Sequence, residues 1–553
     1  ERHFGVPQDI EWALDGGRIV LLQARPMTAL PLEPPVLNRF QKVMTPFFLE
    51  MFTSRPYPLD VTGWLRPGVE RMLGIMMGSV GVRFPPLGRL VRERDGVALQ
   101  LVPAQPRPSL LTFGAPLAVL RRARRYRTSD WTEDRLFAEF EAAVDALDTE
   151  DPATLSWPGL LDRVDRCTAA MEPLARIRAA YLPGAFLPFA PLRLGLALMG
   201  LNRLASPLVA GARTRTRAGN DALEALADVV RADPALSAAA QELDASEFLD
   251  AVRTRPEFAD FRERFTEYLS TYGHRESVSI VIATAPTWRD DPTPVVAMIQ
   301  AAAAEPPRER GVNPGDAALE ELLAHPLLRW RRAARAARGI VDAARHGLAF
   351  REDTHFFITR VLPPLRATFL ELGRRLVAAG ALPAAEDVFH LRLEELRAIS
   401  SPEGMDGDER ARLGAVVARR AALRREYAGV PMLDLAVVVP RETDDGAGAL
   451  LTGTAASGGV AEGPVRIVHG PEEFGALRAG EVLVCPNTNP SWTPLFARAA
   501  AVVVDTGGLG SHAAIVAREY GVPAVMGTGR GTSVLRDGQR VRVDGSRGRV
   551  DAA

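Results

Sequence analysis

The residues best suited to chemistry lie in one short run near the C-terminus. Asp505-Thr506-Gly507-Gly508-Leu509-Gly510-Ser511-His512 leads into Ala513-Ala514-Ile515-Val516-Ala517-Arg518-Glu519. An apolar strand enters this run, glycines turn it, and a helix leaves it. Glycines let backbone N–H groups approach an anion, and a helix N-terminus carries partial positive charge. Such a place suits a phosphoryl group. A histidine there attacks phosphorus through its neutral imidazole and holds the group as a reactive phosphoramidate. Imidazole titrates near neutrality, so it serves both as nucleophile and as leaving group. Gly507 and Gly508 offer backbone donors to the phosphoryl oxygens, and Thr506 and Ser511 offer hydroxyls. For a lone histidine beside a turn, helix capping would be the simpler account.

The elements that must position His512 follow from the patterning. Val465-Arg466-Ile467-Val468, Val482-Leu483-Val484 and Ala501-Val502-Val503-Val504 read as strands. Ala513 to Tyr520 suits a helix, and Arg540 to Val543 with Arg549-Val550 suits a closing hairpin. Upstream, Ala, Leu and Arg recur at helical spacing in 158–180, 219–232, 318–348 and 356–380. Residues 441–449, RETDDGAGA, are polar and Gly-containing and are expected to form a linker; extended, such a stretch reaches at most about 30 Å. At the other end, two apolar runs, Asp9 to Leu14 and Ile19 to Ala24, flank Asp15-Gly16-Gly17, a hairpin signal. The expected class is multidomain. A short β unit (1–30) precedes a large, mainly α-helical domain (31–440), the linker (441–449) and a C-terminal α/β domain (450–553).

Composition narrows the partners. The 553 residues carry 67 Lys and Arg against 68 Asp and Glu, so no basic field favours nucleic acid. Cys167 and Cys485 are too far apart in sequence to suggest a disulfide framework or metal spacing, and a reducing cytoplasm is expected. The arginine clusters Arg121 to Arg127 and Arg329 to Arg338 are expected to be solvated helix faces. The apolar stretch 182–201 holds Pro183, Pro188, Pro191 and Arg193, which a lipid-exposed helix tolerates poorly. It is expected as a buried helix or the wall of an apolar pocket, with no membrane span. Phe186, Phe189 and Met199 within it, and Met72, Met76 and Met77 elsewhere, suit a large ligand and equally a plain core. Glu1-Arg2-His3-Phe4 is neither a signal peptide nor a start and is expected to be the interior of a longer protein.

The segment around His512 resembles the swivelling phosphohistidine domain of the PEP-utilising superfamily, which includes pyruvate phosphate dikinase and phosphoenolpyruvate synthase. Its flanks fit that pattern too: Gly453 to Gly463 before it, Glu519 to Val525 after it, and Asp537-Gly538-Gln539 with Val543-Asp544-Gly545 at the close. The resemblance covers about 450–553 and implies that His512 carries a phosphoryl group between two distant sites. Pro7 to Ala13 and Leu22 to Thr28 resemble the last segment of the family's ATP-grasp domain. By that match Glu11 would ligate Mg²⁺, while Gln23 and Arg25 would contact the phosphates of ATP. The rest of that domain would have to come in cis or in trans, and the chain alone is expected not to consume ATP.

The order of parts resembles the rifamycin phosphotransferases, because no pyruvate-binding barrel, which takes roughly 250 residues, follows His512. Those enzymes split ATP, pass its β-phosphoryl through the histidine to an antibiotic hydroxyl, and release AMP and phosphate. The resemblance therefore implies a small-molecule hydroxyl acceptor. Phosphoenolpyruvate synthase-like enzymes and condensing enzymes of secondary metabolism are the alternatives, and a catalytically incomplete phosphocarrier is the non-enzymatic one. Tyr272 to Glu276, Pro286-Thr287-Trp288, Phe350 to Asp353 and Glu386 to Leu391 resemble motifs of the family's middle domains. In the rifamycin enzymes a segment starting Arg-Glu approaches the phosphohistidine, with a basic residue one turn later. Arg351, Glu352 and His355 stand at those places, His355 where the family has lysine. Residues four apart share a helix face, so one site can use all three. Arg351 would neutralise phosphoryl charge, and Glu352 or His355 would take the hydroxyl proton. An ordinary solvated Arg-Glu pair is the plain alternative. His274 is expected to be a core or loop histidine.

Overall fold

The computed structural model describes residues 8–16, 18–26, 35–39, 41–42, 45, 51–52, 54–275, 279–304, 314–428, 430, 432–433, 449–489, 492–508 and 511–553. Of the expected linker, 441–448 lie outside the described residues.

The N-terminal strands pair as the Asp-Gly-Gly signal requires. β1 (Gln8–Asp15) runs antiparallel to β2 (Arg18–Pro26), with Gly16 at φ +52°, where a side chain would be strained. Ile10, Trp12, Leu14, Ile19, Leu21 and Leu22 are all exposed, so this ribbon buries little of its own apolar surface.

The middle of the chain is helical. Its main pieces are α1 (Glu70–Gly78), α2 (Ala115–Arg125), α3 (Arg135–Thr149), α4 (Trp157–Ala169), α5 (Met171–Phe186), α6 (Phe189–Leu198), α7 (Ala205–Ala210), α8 (Arg215–Ala232), α9 (Thr293–Ala303), α10 (Arg331–Ile358) and α11 (Leu362–Ala378). Two small antiparallel hairpins interrupt them, Val82–Arg83 with Arg107–Pro108 and Val91–Arg94 with Val97–Leu101. Helical periodicity does not reveal these, because such short strands offer too few repeats. The run Trp157–Leu198 is long and apolar enough to cross a membrane by length and composition. In the fold it is α4, α5 and α6 in succession, with Pro183 inside α5; the stretch 182–201 is not a buried helix as expected, since Leu192 and Leu196 face a core while Phe186, Leu187, Leu194 and Leu198 are exposed. The arginines of both clusters lie mainly on exposed faces: Arg121, Arg124, Arg125, Arg331, Arg332, Arg335 and Arg338 face solvent.

The long helix α10 is held on one side by an aromatic cluster. Phe350 and Phe357 each meet Trp131 edge-on at 5.7 Å, Phe357 meets Phe137 at 4.9 Å, and Phe350 meets Tyr181 at 5.8 Å. On that face Gly347 lies against α5 so closely that a Cβ there would stand 2.3 Å from the Ala185 carbonyl oxygen. Fixing Phe350, Thr354 and Phe357 inward turns Arg351, Glu352 and His355 to a different side of the helix, as its 3.6-residue repeat dictates.

The C-terminal unit is a mixed eight-stranded sheet. Its strands are β3 (Leu451–Thr452), β4 (Thr454–Ser457), β5 (Val460–Ile467), β6 (Val482–Cys485), β7 (Ala501–Val504), β8 (Ala524–Met526), β9 (Arg540–Asp544) and β10 (Arg549–Ala552). They lie in the order β3-β10-β9-β5-β6-β7-β8-β4. β5, β6, β7 and β8 are parallel, and the remaining pairings are antiparallel. The central strands are buried on both faces, which explains their unbroken Val-rich text. Val482, Val484, Ala501 and Val503 join one apolar cluster; Leu483, Cys485, Val502 and Val504 join another, by the two-residue alternation of a strand. The second cluster continues through α12 (Thr493–Arg498) and α13 (His512–Tyr520) into Leu223, Val295 and Ile299 of the helical region. Thus the sheet unit is docked, with the start of α13 turned toward α10.

Candidate functional site

Each part of the His512 segment has a local cause. Asp505, at the end of β7, accepts hydrogen bonds from Thr528 Oγ1 at 2.9 Å and Thr532 N at 3.2 Å, and also from Gly531 N. This ties the turn to the neighbouring strand. Gly507 takes φ +96°, reversing the chain. Ser511 caps α13, its Oγ accepting from Ala514 N at 3.1 Å, and His512 is the first helical residue. Thr506 donates its hydroxyl to the Pro486 carbonyl at 3.0 Å. Thr506 thus spends its hydroxyl proton on the turn, whereas the Ser511 oxygen only accepts in its cap bond, and Gly508 lies open, with no atom of the described residues within 4 Å of a Cβ placed there. Gly521, left-handed at φ +65°, ends the helix.

His512 faces α10. Its Nδ1 lies 4.0 Å from Glu352 Oε2, the two side chains being 14% and 10% exposed. Arg351 Nη1 stands 3.7 Å from the other carboxylate oxygen of Glu352. On the opposite edge of the ring, Thr493 Oγ1 is 3.4 Å from Nε2. Burial holds His512 well below the ordinary histidine range, and His355, Arg275 and Arg351 push the same way. The imidazole is therefore neutral at neutral pH, the form with a free lone pair. The same cations that disfavour imidazolium favour a dianionic phosphoryl group attached to it.

The three residues of the Arg-Glu segment thus converge on His512, Arg351 and His355 half-buried beside buried Glu352. Asp353 turns elsewhere, accepting from Arg215 N at 2.7 Å at the start of α8; burial raises it to about 6. His274 donates from Nε2 to the Phe356 carbonyl at 3.1 Å, and burial followed by Arg360 lowers it to about 3. It is a core histidine that secures the end of α10.

Arg275 and Thr493 reach the site although neither stood out as a candidate. Arg275 is 1% exposed and lies 5.0 Å above the Trp288 ring. The motif Tyr272 to Glu276 carried the signal, but the histidine drew attention from the arginine beside it. Thr493 had no signal, since a threonine before a proline is unremarkable without its partner.

Arg178 on α5, which also did not stand out as a candidate, feels the charges of Arg351 and Glu352 and lines a cavity of about 400 Å³ together with Met76, Met77, Val119, Leu182, Pro183 and Phe186. Burial lowers Arg178 to about 10, with Arg351 adding to the shift and Glu352 opposing it. Of the apolar residues considered from sequence, Met76, Met77 and Phe186 line this cavity. Met72 is core, and Phe189 and Met199 pack around Leu192 and Leu196 instead.

The nucleotide-site candidates lie on the hairpin. Glu11 pairs directly with Gln23 in the register, both side chains exposed, and Arg25 pairs with Asp9. Among the described residues no group of three or more His, Cys, Asp or Glu is placed to hold a metal ion. A phosphate-bound divalent cation needs fewer protein ligands, and one carboxylate opposite an amide fits such a role.

Comparison with known proteins agrees with this geometry. Residues 477–548 match the PEP-utilising enzyme mobile domain, 191–352 the rifampicin phosphotransferase fourth domain, and 1–36 the pyruvate phosphate dikinase AMP/ATP-binding domain. A rifampicin phosphotransferase of Streptomyces sp is 30% identical over all of this chain and 67% of its own length. The chain belongs to the PEP-utilising superfamily. Another rifampicin phosphotransferase, from Streptomyces sviceus, is 29% identical over the whole chain and 66% of itself. An uncharacterized phosphotransferase, YvkC of Bacillus subtilis, is 36% identical over 36% of the chain and 25% of itself. The chain thus spans about two thirds of the length of the first two relatives. Within this PEP-utilising chain the matched mobile domain contains His512, and the matched fourth domain ends on Glu352.

Proposed function

We propose that this chain forms the phosphohistidine and acceptor portions of an ATP-dependent phosphotransferase. In this reading His512 receives the β-phosphoryl group of ATP and delivers it to a hydroxyl of a bulky, apolar small molecule, a rifamycin-type antibiotic being the favoured case. The observation that carries it is the 4.0 Å approach of Glu352 to His512, and the cavity lined by Arg178 is the acceptor pocket in this reading.

In the first half-reaction a neutral imidazole nitrogen of His512 attacks the β-phosphorus of ATP; the N–P bond forms as the P–O bond to AMP breaks, and water then removes the γ-phosphoryl group as phosphate. ATP supplies that phosphoryl group, and Mg²⁺ beside Glu11 would screen its phosphate oxygens; Gln23 and Arg25 would hold the phosphates. In the second, the acceptor hydroxyl attacks phosphorus while its proton passes to the Glu352 carboxylate. The N–P bond breaks and its electron pair returns to the imidazole. Arg351 and Arg275 neutralise the equatorial oxygens in this second half-reaction. His355 adds positive charge only when protonated, so it supports transfer differently from a permanent lysine charge. The docked position of α13 corresponds to the acceptor half, and reaching a nucleotide requires the sheet unit to travel.

The test uses the complete enzyme with its ATP-grasp portion and Mg-ATP. Acid-labile phosphate should appear on the peptide containing His512 and be absent from His512→Ala. A panel of rifamycins, small carboxylic acids and aldehydes then reads the acceptor. AMP formation stimulated by pyruvate alone would reject the antibiotic reading, and a ligated product would place the chain with condensing enzymes.

A further inference from the structure

We propose that Arg178 selects acceptors bearing an anionic oxygen on an otherwise apolar body; this rests on the reading of the Arg178 cavity as the acceptor site. Among the described residues Arg178 is the one ionisable side chain lining that cavity. Ser79, the other polar side chain there, already donates its hydroxyl to the Met76 carbonyl at 2.7 Å. The Arg178 Nε–H is buried and has no hydrogen-bond partner among the described residues. A guanidinium set in a wall of methionine, leucine and phenylalanine is poorly solvated, and its unpaired donor is costly until something accepts from it. A neutral apolar ligand in the cavity leaves the guanidinium uncompensated. A ligand with a carboxylate, sulfonate or phenolate oxygen against Arg178 supplies the opposite charge through a charge-assisted bond. The position matters as well. Arg178 feels the charges of Arg351 and Glu352, so an anion held there lies within electrostatic reach of the groups that would receive the acceptor hydroxyl. Arg178 would thereby fix the orientation of the acceptor as well as its charge.

Two fluorescent probes isolate the effect. 8-Anilinonaphthalene-1-sulfonate and N-phenyl-1-naphthylamine share one aromatic body and differ by the sulfonate. Titrated into the 553-residue chain, the sulfonate is expected to bind more tightly, by roughly tenfold or more, the range of a charge-assisted hydrogen bond. Arg178→Met should remove this preference and leave binding of the neutral probe. Arg178→Gln gives the same reading should the methionine variant fail to fold, and Arg178→Lys should restore part of the preference. Met76→Trp, which fills the cavity, should displace both probes. A sulfonate preference that survives loss of the guanidinium overturns the role of Arg178 while leaving the cavity as a ligand site. Probe binding that Met76→Trp does not weaken overturns the cavity reading itself.

Discussion

Glu352 and His512 stand 4.0 Å apart although one lies on the long helix α10 and the other begins α13 of a separate sheet unit. The gap is wider than a hydrogen bond and narrower than a phosphoryl group, so a phosphorylated His512 must shift slightly or turn its ring.

Glu352→Gln should therefore separate the two half-reactions. His512 should still be phosphorylated by the complete enzyme, whereas delivery to the acceptor should slow by roughly 10²–10⁴-fold, the usual contribution of a general base. Single-turnover transfer from isolated phosphoenzyme measures this. Equal slowing of both steps would give Glu352 a structural role instead.

The ring of His512 should titrate with a midpoint below 6.5, because burial and the neighbouring His355, Arg275 and Arg351 oppose its protonation. Imidazole ¹⁵N shifts recorded on this chain as pH falls would show it. A midpoint at or above 6.5 contradicts the cationic surroundings described for the site.

His274 makes stability depend on pH. Its folded value is about 3, against about 6.5 when unfolded. Below 6.5 the unfolded chain binds a proton that the fold refuses, so stability is full above 6.5 and is lost as pH falls toward 3. The slope is about 1.4 kcal/mol per pH unit for this group. Urea unfolding between pH 7.5 and 4.5 should be less pH-dependent in His274→Asn, which keeps a donor for the Phe356 carbonyl. An unchanged slope would refute the assignment.

Two glycines of α10 should respond in opposite directions. Gly347→Ala drives a Cβ to 2.3 Å from the Ala185 carbonyl oxygen and should destabilise by about 1–3 kcal/mol, as overpacking does. It should also weaken probe binding, because α5 carries the cavity wall. Gly339→Ala meets nothing within 4 Å and should be neutral or stabilising by up to about 1 kcal/mol. Calorimetric Tm values of both variants decide it; equal shifts would mean that α5 and α10 do not pack as described.

By itself the sequence determined the local grammar. The strand, glycine turn and helix around His512 were legible because backbone conformation there depends on near neighbours: glycine for the reversed turn, serine for the cap, apolar alternation for the buried strands. The N-terminal hairpin and the solvated arginine faces were legible for the same reason. Only the tertiary structure decided which distant side chains meet. Arg178 and Thr493 carry no local mark, and Arg275 stands in a motif without a mark of its own; Arg275 and Thr493 come to His512 through the packing of the loop after Tyr272 and of α12, and Arg178 lines the cavity beside α5. Thr506, chosen from sequence as a phosphate donor, gives its hydroxyl proton to the Pro486 carbonyl, since a hydroxyl bonds whichever backbone group the fold brings nearest. Met72, Phe189 and Met199 are as apolar as Met76 and Phe186, and only the packing around each helix sends the first three into cores and the other two to a cavity. Hydrophobicity specifies that a side chain leaves water; the arrangement of the helices specifies what it faces when it does.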